Sequence, residues 1–108
     1  MTDKPLAEDT ETSDDSFLNG QIQVRQPRSG YRIGTDAVMV AATIQMKAGR
    51  LLDMGAGVGG ISLAIAHRLA DAQITAAEID PVNHALLSHN IGINQQHARI
   101  RPLRVDIL

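Results

Sequence analysis

The sequence predicts an α/β fold in which parallel strands alternate with crossover helices. Three features point to it. From Arg50 onward, short apolar segments alternate with longer helical ones; a glycine-rich loop follows the first of these strands; and an acidic residue closes each of three strands. Strand–helix–strand alternation is typical of a parallel sheet with right-handed connections. At 108 residues the chain suffices for one modest domain.

The N-terminal residues differ in composition from the rest. Residues 1–16 are rich in Asp, Glu, Ser and Thr and nearly devoid of large apolar side chains. Such a segment buries too little surface to offset its ordering entropy. We therefore expect a disordered acidic tail over residues 1–16 and an ordered domain over residues 17–108.

The domain is predicted to begin with a strand and a helix. Residues 21–26 alternate apolar and polar side chains, the period of a half-buried strand, and turn residues follow them. Thr35 or Asp36 is expected to cap a helix that runs to about Met46.

The remaining elements are predicted from hydrophobic periodicity and from helix-capping residues. Asp80 followed by Pro81 is a strong helix start, because the acid caps and the proline fits the first helical position. We predict strands over residues 51–54, 74–78 and 100–105 and helices over residues 61–70 and 80–94.

The loop after the first parallel strand contains Gly55, Gly57 and Gly60, which match G-x-G-x-x-G. Such a loop lets the backbone turn sharply and lets a ligand lie against it. Asp53, two residues earlier, would repel the pyrophosphate of a dinucleotide but would suit a cationic group. S-adenosylmethionine carries an ammonium and a sulfonium and no phosphate, so it fits this charge. The alternative is that Asp53 only caps the turn.

Two further acids end the next two strands. Glu78 lies about twenty residues beyond the glycines, where an acid accepts hydrogen bonds from ribose hydroxyls. NAD and S-adenosylmethionine share that ribose, so Glu78 does not choose between them. Asp106 ends the third strand, where it could accept from an adenine amine. Acids at successive strand ends form one rim of a sheet, the usual ligand position in open α/β folds.

Several segments resemble known motifs. Residues 53–59 resemble the first motif of class I S-adenosylmethionine-dependent methyltransferases, which have a Rossmann-like fold; residues 78–80 resemble their second motif and residues 105–108 their third. Upstream, residues 17–20, 24–27 and 30–38 resemble the opening of bacterial tRNA adenine N6-methyltransferases, which modify the exocyclic amine beside the anticodon. Asn90 and Asn94 also fall where that group has asparagines.

This resemblance implies a partial S-adenosylmethionine-binding methyltransferase domain over residues 17–108. By this resemblance, the cofactor would lie over Gly55, Ala56 and Gly57. Its methionine part would lie near Asp53 and its ribose at Glu78. Its adenine would lie between Ile79 and Asp106, and the pocket would be closed from the N-terminal side by Thr35 and Asp36.

The chain departs from that family in one respect. The catalytic signature, Asn-Pro-Pro followed by an aromatic residue, comes after the next strand, and the sequence reaches Leu108 before it. We therefore identify no catalytic residue and expect an N-terminal fragment that is inactive alone. The intact enzyme would act on tRNA, and the fragment is expected to self-associate through the exposed edge of its first parallel strand.

Other classes are less well supported. A sequence without cysteine, without a signal peptide and without an apolar run long enough for a bilayer favours a cytoplasmic protein. The scattered histidines do not predict a metal site. Six arginines are candidate phosphate contacts, namely Arg25, Arg28, Arg32, Arg99, Arg101 and Arg104. An NAD-dependent oxidoreductase and a non-catalytic binding module remain alternatives.

Overall fold

The computed structural model describes residues 11–30, 32–46 and 48–105, and they form two sheets and three helices. The strands are β1 (Thr12–Phe17), β2 (Ile22–Pro27), β3 (Ala48–Met54), β4 (Asp71–Ala77) and β5 (Ile100–Leu103). The helices are α1 (Thr35–Ala42), α2 (Gly60–Arg68) and α3 (Pro81–Ile93). Strands β1 and β2 form an antiparallel hairpin. Strands β3, β4 and β5 form a parallel sheet in that order, which confirms the predicted fold class.

The core lies on one face of the parallel sheet. Side chains of β4 and β5, such as Ile74 and Ile100, are buried there together with Leu63 of α2 and Leu86 of α3. On the other face, Leu52 remains 58% exposed. The helices therefore leave one face of the described sheet largely uncovered. In the described part of the chain, no helix has the length and apolarity needed to cross a membrane.

The structure corrects the predicted tail boundary. Residues 12–16 are not disordered, because they pair with β2 as strand β1. Two acids of this strand pair with bases: Asp14 lies 2.8 Å from the Nε of Arg25 across the hairpin, and Asp15 lies 3.0 Å from Arg32, which follows β2. These contacts neutralise the charge that made the segment look disordered. Residues 1–10 lie outside the described residues.

The predicted cap and length of α1 are wrong. The helix begins at Thr35 after Gly34, and neither Thr35 nor Asp36 caps it; Asp36 instead accepts a 2.9 Å hydrogen bond from the Gly34 amide. It ends at Ala42 rather than near Met46. The Arg68 guanidinium binds carbonyls at this end of the helix, including that of Ile44, which satisfies groups that a longer helix would have used.

The predicted start of α3 is confirmed. The Asp80 carboxylate accepts a 2.8 Å hydrogen bond from the Asn83 amide, and Pro81 occupies the first turn. The helix ends at Ile93, one residue before the predicted end. Ile93 at that end is 46% exposed.

Candidate functional site

The loop between β3 and α2 depends on glycine conformations. Gly55, Gly57 and Gly59 have φ values of +70°, +60° and +100°, in the left-handed region that side chains disfavour. The loop is fixed to the sheet by a 2.9 Å hydrogen bond from the Ala56 amide to the Ala77 carbonyl. The backbone therefore turns out of β3 while remaining attached to β4.

The last two glycines of the loop allow close packing. A Cβ on Gly59 would lie 2.7 Å from a methyl of Leu87, and a Cβ on Gly60 would lie 2.4 Å from a methyl of Ile33. Gly60, the third glycine of the predicted motif, thus accommodates the segment before α1. Gly59, which is not one of the three glycines of G-x-G-x-x-G, supplies the left-handed turn into α2.

Glu78 ties the loop to the start of α3. Only 9% of the residue is exposed. One carboxylate oxygen accepts from the Gly57 amide at 2.7 Å, and the other accepts from the Asp80 amide at 3.0 Å. A carboxylate has about four acceptor sites, so each oxygen can accept one further hydrogen bond.

Asp53 lies at the end of β3, beside the first turn of α2. Its carboxylate accepts a 2.7 Å hydrogen bond from the hydroxyl of Ser62, which is fully buried. Burial raises the pKa of the Asp53 carboxyl, and the charge of Glu78 adds to that rise, whereas the hydroxyl and amide of Ser62 oppose it. The structure thus gives Asp53 the contacts of a helix-capping acid, together with a partly desolvated charge.

A cavity of about 590 Å³ opens beside the glycine loop. One wall comes from the end of β2 and the segment that follows it. The other wall comes from the glycine loop, the first turn of α2, the residue after β4 and the start of α3. These residues are Pro27, Ser29 and Ile33 on the first wall, and Gly55, Ala56, Gly57, Val58, Gly60, Ile61, Glu78, Asp80, Val82 and Asn83 on the second. Its volume is typical of a small-molecule site.

The structure brings some of the sequence-predicted residues to this cavity and not others. Gly55, Ala56, Gly57 and Glu78 line it. Asp53, Ile79, Thr35 and Asp36 are not among its lining residues, and Asp106 lies outside the described residues. Sequence reasoning missed the wall formed by Pro27, Ser29 and Ile33. The only available signal was the resemblance of residues 24–27 and 30–38 to a family motif.

Most arginines considered as phosphate contacts have other partners. Arg25 and Arg32 pair with acids of β1, and the Nε of Arg28 donates to the Thr12 carbonyl. Arg99 donates to the Ala66 and Leu69 carbonyls at the end of α2 and so caps that helix. Arg101 and Arg104 are exposed, and Arg101 lines a separate cavity of about 770 Å³ that contains no acidic residue among its described lining. The described lining therefore offers no carboxylate to a cationic ligand.

A family model and curated proteins match most of the chain. The model described as the TRM5/TYW2 methyltransferase domain matches residues 32–108. The tRNA1(Val) (adenine(37)-N6)-methyltransferase of Vibrio parahaemolyticus is 33% identical over 93 residues, or 85% of this chain and 39% of that protein. The protein of the same name from Bacteroides thetaiotaomicron is 33% identical over 94 residues, or 85% of this chain and 40% of its own length. The chain thus spans about two-fifths of the length of these relatives.

Solved structures share the fold. TYW2 from Pyrococcus horikoshii in complex with MeSAdo superposes with a TM-score of 0.75 at 24% identity, covering 88% of this chain and 36% of that one. The tRNA m1G37 methyltransferase of M. jannaschii gives a TM-score of 0.71 at 23% identity, covering 91% and 31%.

Proposed function

Because the chain belongs to the TRM5/TYW2 methyltransferase domain family, we propose that the cavity beside its glycine loop binds S-adenosylmethionine. When bound, this cofactor supplies a methyl group on a sulfonium centre. The chain's own contribution is to bind and orient it, and alignment of two reactants can supply a large part of a rate enhancement.

The observation that carries this proposal is the position of Glu78. Its carboxylate lies at the cavity, is held by the Gly57 and Asp80 amides, and retains acceptor capacity on both oxygens. That arrangement suits the two hydroxyls of a ribose. Gly55, Ala56 and Gly57 would lie under the ligand, because a Cβ at Gly55 or Gly57 would have open space around it.

The second acid supports a cationic ligand rather than a dinucleotide. Asp53 is half-buried at the start of the loop and near enough to Glu78 for the two charges to interact. The Asp53 carboxylate beside the helix N-terminus disfavours a pyrophosphate and favours an ammonium group. We propose that Asp53 faces the methionine part of the cofactor. The roles of Ile79 and Asp106 at the adenine, and of Thr35 and Asp36 at the pocket entrance, stay predictions.

Replacing Asp53 with asparagine is expected to weaken ligand binding while stabilising the unliganded fold at neutral pH. Because burial raises the pKa of Asp53, its ionisation costs folding stability as pH rises through that pKa. The neutral amide of the Asp53→Asn variant removes this cost, and its oxygen can still accept from Ser62. Loss of a charged hydrogen bond should weaken S-adenosylhomocysteine binding by about tenfold or more.

Thermal unfolding and calorimetry at acidic to neutral pH measure both effects. The stability difference should vanish below the ordinary Asp pKa of 3.8. As the pH is lowered, the affinity of the unsubstituted protein should decrease more than that of Asp53→Asn, because only the former loses the Asp53 charge. Unchanged affinity together with lower stability would show that Asp53 is only a cap.

We further propose that the chain is the cofactor-binding part of a cytoplasmic enzyme that methylates the exocyclic amine of an adenine in tRNA. Two curated relatives, each 33% identical, carry that activity in their names. The test is disruption of the gene that encodes this chain, followed by mass spectrometry of tRNA nucleosides. The expected result is loss of N6-methyladenosine, restored by complementation. Unchanged nucleosides would contradict the proposal. Loss of a methylated guanosine instead would show that the enzyme modifies guanine rather than adenine.

The open edge of the parallel sheet supports one proposal about association. Strand β3 pairs only with β4 among the described strands, and Leu52 and Met54 on it are each 58% exposed. An unpaired strand edge is a template for another chain. We infer that copies of the chain associate through this edge, which sedimentation at several concentrations would detect.

A further inference from the structure

Two asparagines one turn apart, Asn90 in α3 and Asn94 at its end, bind the backbone of β2. The Asn94 side chain accepts from the Gln23 amide at 2.9 Å and donates to the Gln23 carbonyl at 2.6 Å. The Asn90 side chain accepts from the Arg25 amide at 2.8 Å and donates to the Arg25 carbonyl at 2.9 Å. Each asparagine side chain thus makes the pair of hydrogen bonds that a residue of a neighbouring strand would make. Together the two asparagines hold the hairpin against α3.

The two asparagines differ in their third hydrogen bond. Asn94 donates within its own helix, to the Asn90 carbonyl at 2.7 Å. Asn90 is fully buried and donates to the Val58 carbonyl of the glycine loop at 2.9 Å. The Asn90 amide group therefore joins β2 to the loop, whereas the third bond of Asn94 stays within α3 and its end.

These contacts connect the two walls of the cavity. Arg25 lies two residues before Pro27, which begins the wall that also contains Ser29 and Ile33, and Val58 belongs to the opposite wall. A fully satisfied, buried polar group holds its partners in one geometry, because any displacement leaves a buried donor or acceptor unpaired. Asn90 thus provides a buried hydrogen-bonded link between the two walls, which also meet where Ile33 packs against Gly60.

We propose that Asn90 is a positioning residue for the cofactor site, holding the wall after β2 at the distance from the glycine loop that the ligand requires. This inference rests on the proposed binding of S-adenosylmethionine. Docking of the hairpin alone would need only the two bonds to β2, which Asn94 also makes. The bond to Val58 is what distinguishes the proposed role from docking.

The test compares Asn90→Ala with Asn94→Ala, using calorimetric titration with S-adenosylhomocysteine and thermal unfolding. Both variants should unfold at lower temperature, because both free backbone groups of β2. Asn90→Ala should weaken S-adenosylhomocysteine binding on the order of tenfold or more, since small misplacements of a binding wall are costly. Asn94→Ala should change that affinity by less than about threefold, because its contacts lie outside the cavity.

Substitution of the same two residues by aspartate provides a second comparison. If Asn90→Ala does not fold, the Asn90→Asp and Asn94→Asp pair, which keeps side-chain size and removes amide donation, is compared in the same way. Equal affinities for the two positions would overturn the proposal, and so would failure of both Asn90 variants to fold, which would assign Asn90 to stability. Failure of the unsubstituted protein to bind S-adenosylhomocysteine would instead overturn the proposed function.

Discussion

Replacing Glu78 with alanine is expected to weaken S-adenosylhomocysteine binding by about 10- to 150-fold, the loss that corresponds to about 1.5 to 3 kcal/mol for a charged hydrogen-bonding partner. The substitution removes the acceptor proposed for the ribose hydroxyls. It also releases the Gly57 amide, so that the loop loses one hydrogen bond while the bond from the Ala56 amide to the Ala77 carbonyl of β4 remains. Both consequences act on the same site, which is why the effect should be large.

Asp71 provides a matched control for Glu78. It is an exposed acid at the opposite end of the same strand, and Asp71→Ala removes an equal charge without touching the cavity. Calorimetric titration should show near-normal affinity for Asp71→Ala, and circular dichroism should show folded protein for both variants. Equal affinities for the two variants would show that Glu78 does not bind the ligand.

Replacing Gly59 with alanine is expected to cost about 2 to 5 kcal/mol of folding stability. The residue has a φ of +100°, and the added Cβ would lie 2.7 Å from a methyl of Leu87, which is itself fully buried. Leu87 cannot move away without displacing its neighbours in the core. The melting temperature should fall by about 10 °C or more.

Gly57→Ala separates the strain of the backbone from the clash. Gly57 also has a positive φ, +60°, but a Cβ there would meet nothing within 4 Å. Its cost should be limited to the left-handed conformation, about 1 to 2 kcal/mol. Thermal unfolding of both variants measures the difference, and equal melting temperatures would show that Leu87 yields to the new methyl group.

The parallel sheet could be predicted because its signals are local. Strand and helix periods alternate after Arg50, and the capping pair Asp80-Pro81 marks the start of α3. Strand β1 could not be predicted from composition, because its stability depends on partners elsewhere in the chain. Asp14 and Asp15 look like part of an acidic tail until Arg25 and Arg32 are placed beside them.

The candidate site was predictable to a similar extent. Spacing from the glycine loop identified Glu78, and the structure places that residue at the cavity. Spacing could not identify the hydrogen bond between Ser62 and Asp53, nor the bonds from Asn90 to residues 65 and 32 positions away. Such contacts depend on how elements pack, and a single sequence does not contain that information in local form. The cap expected at Thr35 or Asp36 failed for a local reason, because the helix begins after Gly34 and Asp36 accepts from the Gly34 amide.

The most direct test of the account is a calorimetric titration of the protein with S-adenosylhomocysteine and, separately, with NAD. The two ligands share an adenosine but differ in charge beside the glycine loop, where Asp53 and Glu78 lie. We expect one site for S-adenosylhomocysteine and binding of NAD at least about tenfold weaker, because a pyrophosphate would meet the Asp53 carboxylate. Tighter binding of NAD would contradict it and would indicate a dinucleotide-binding domain.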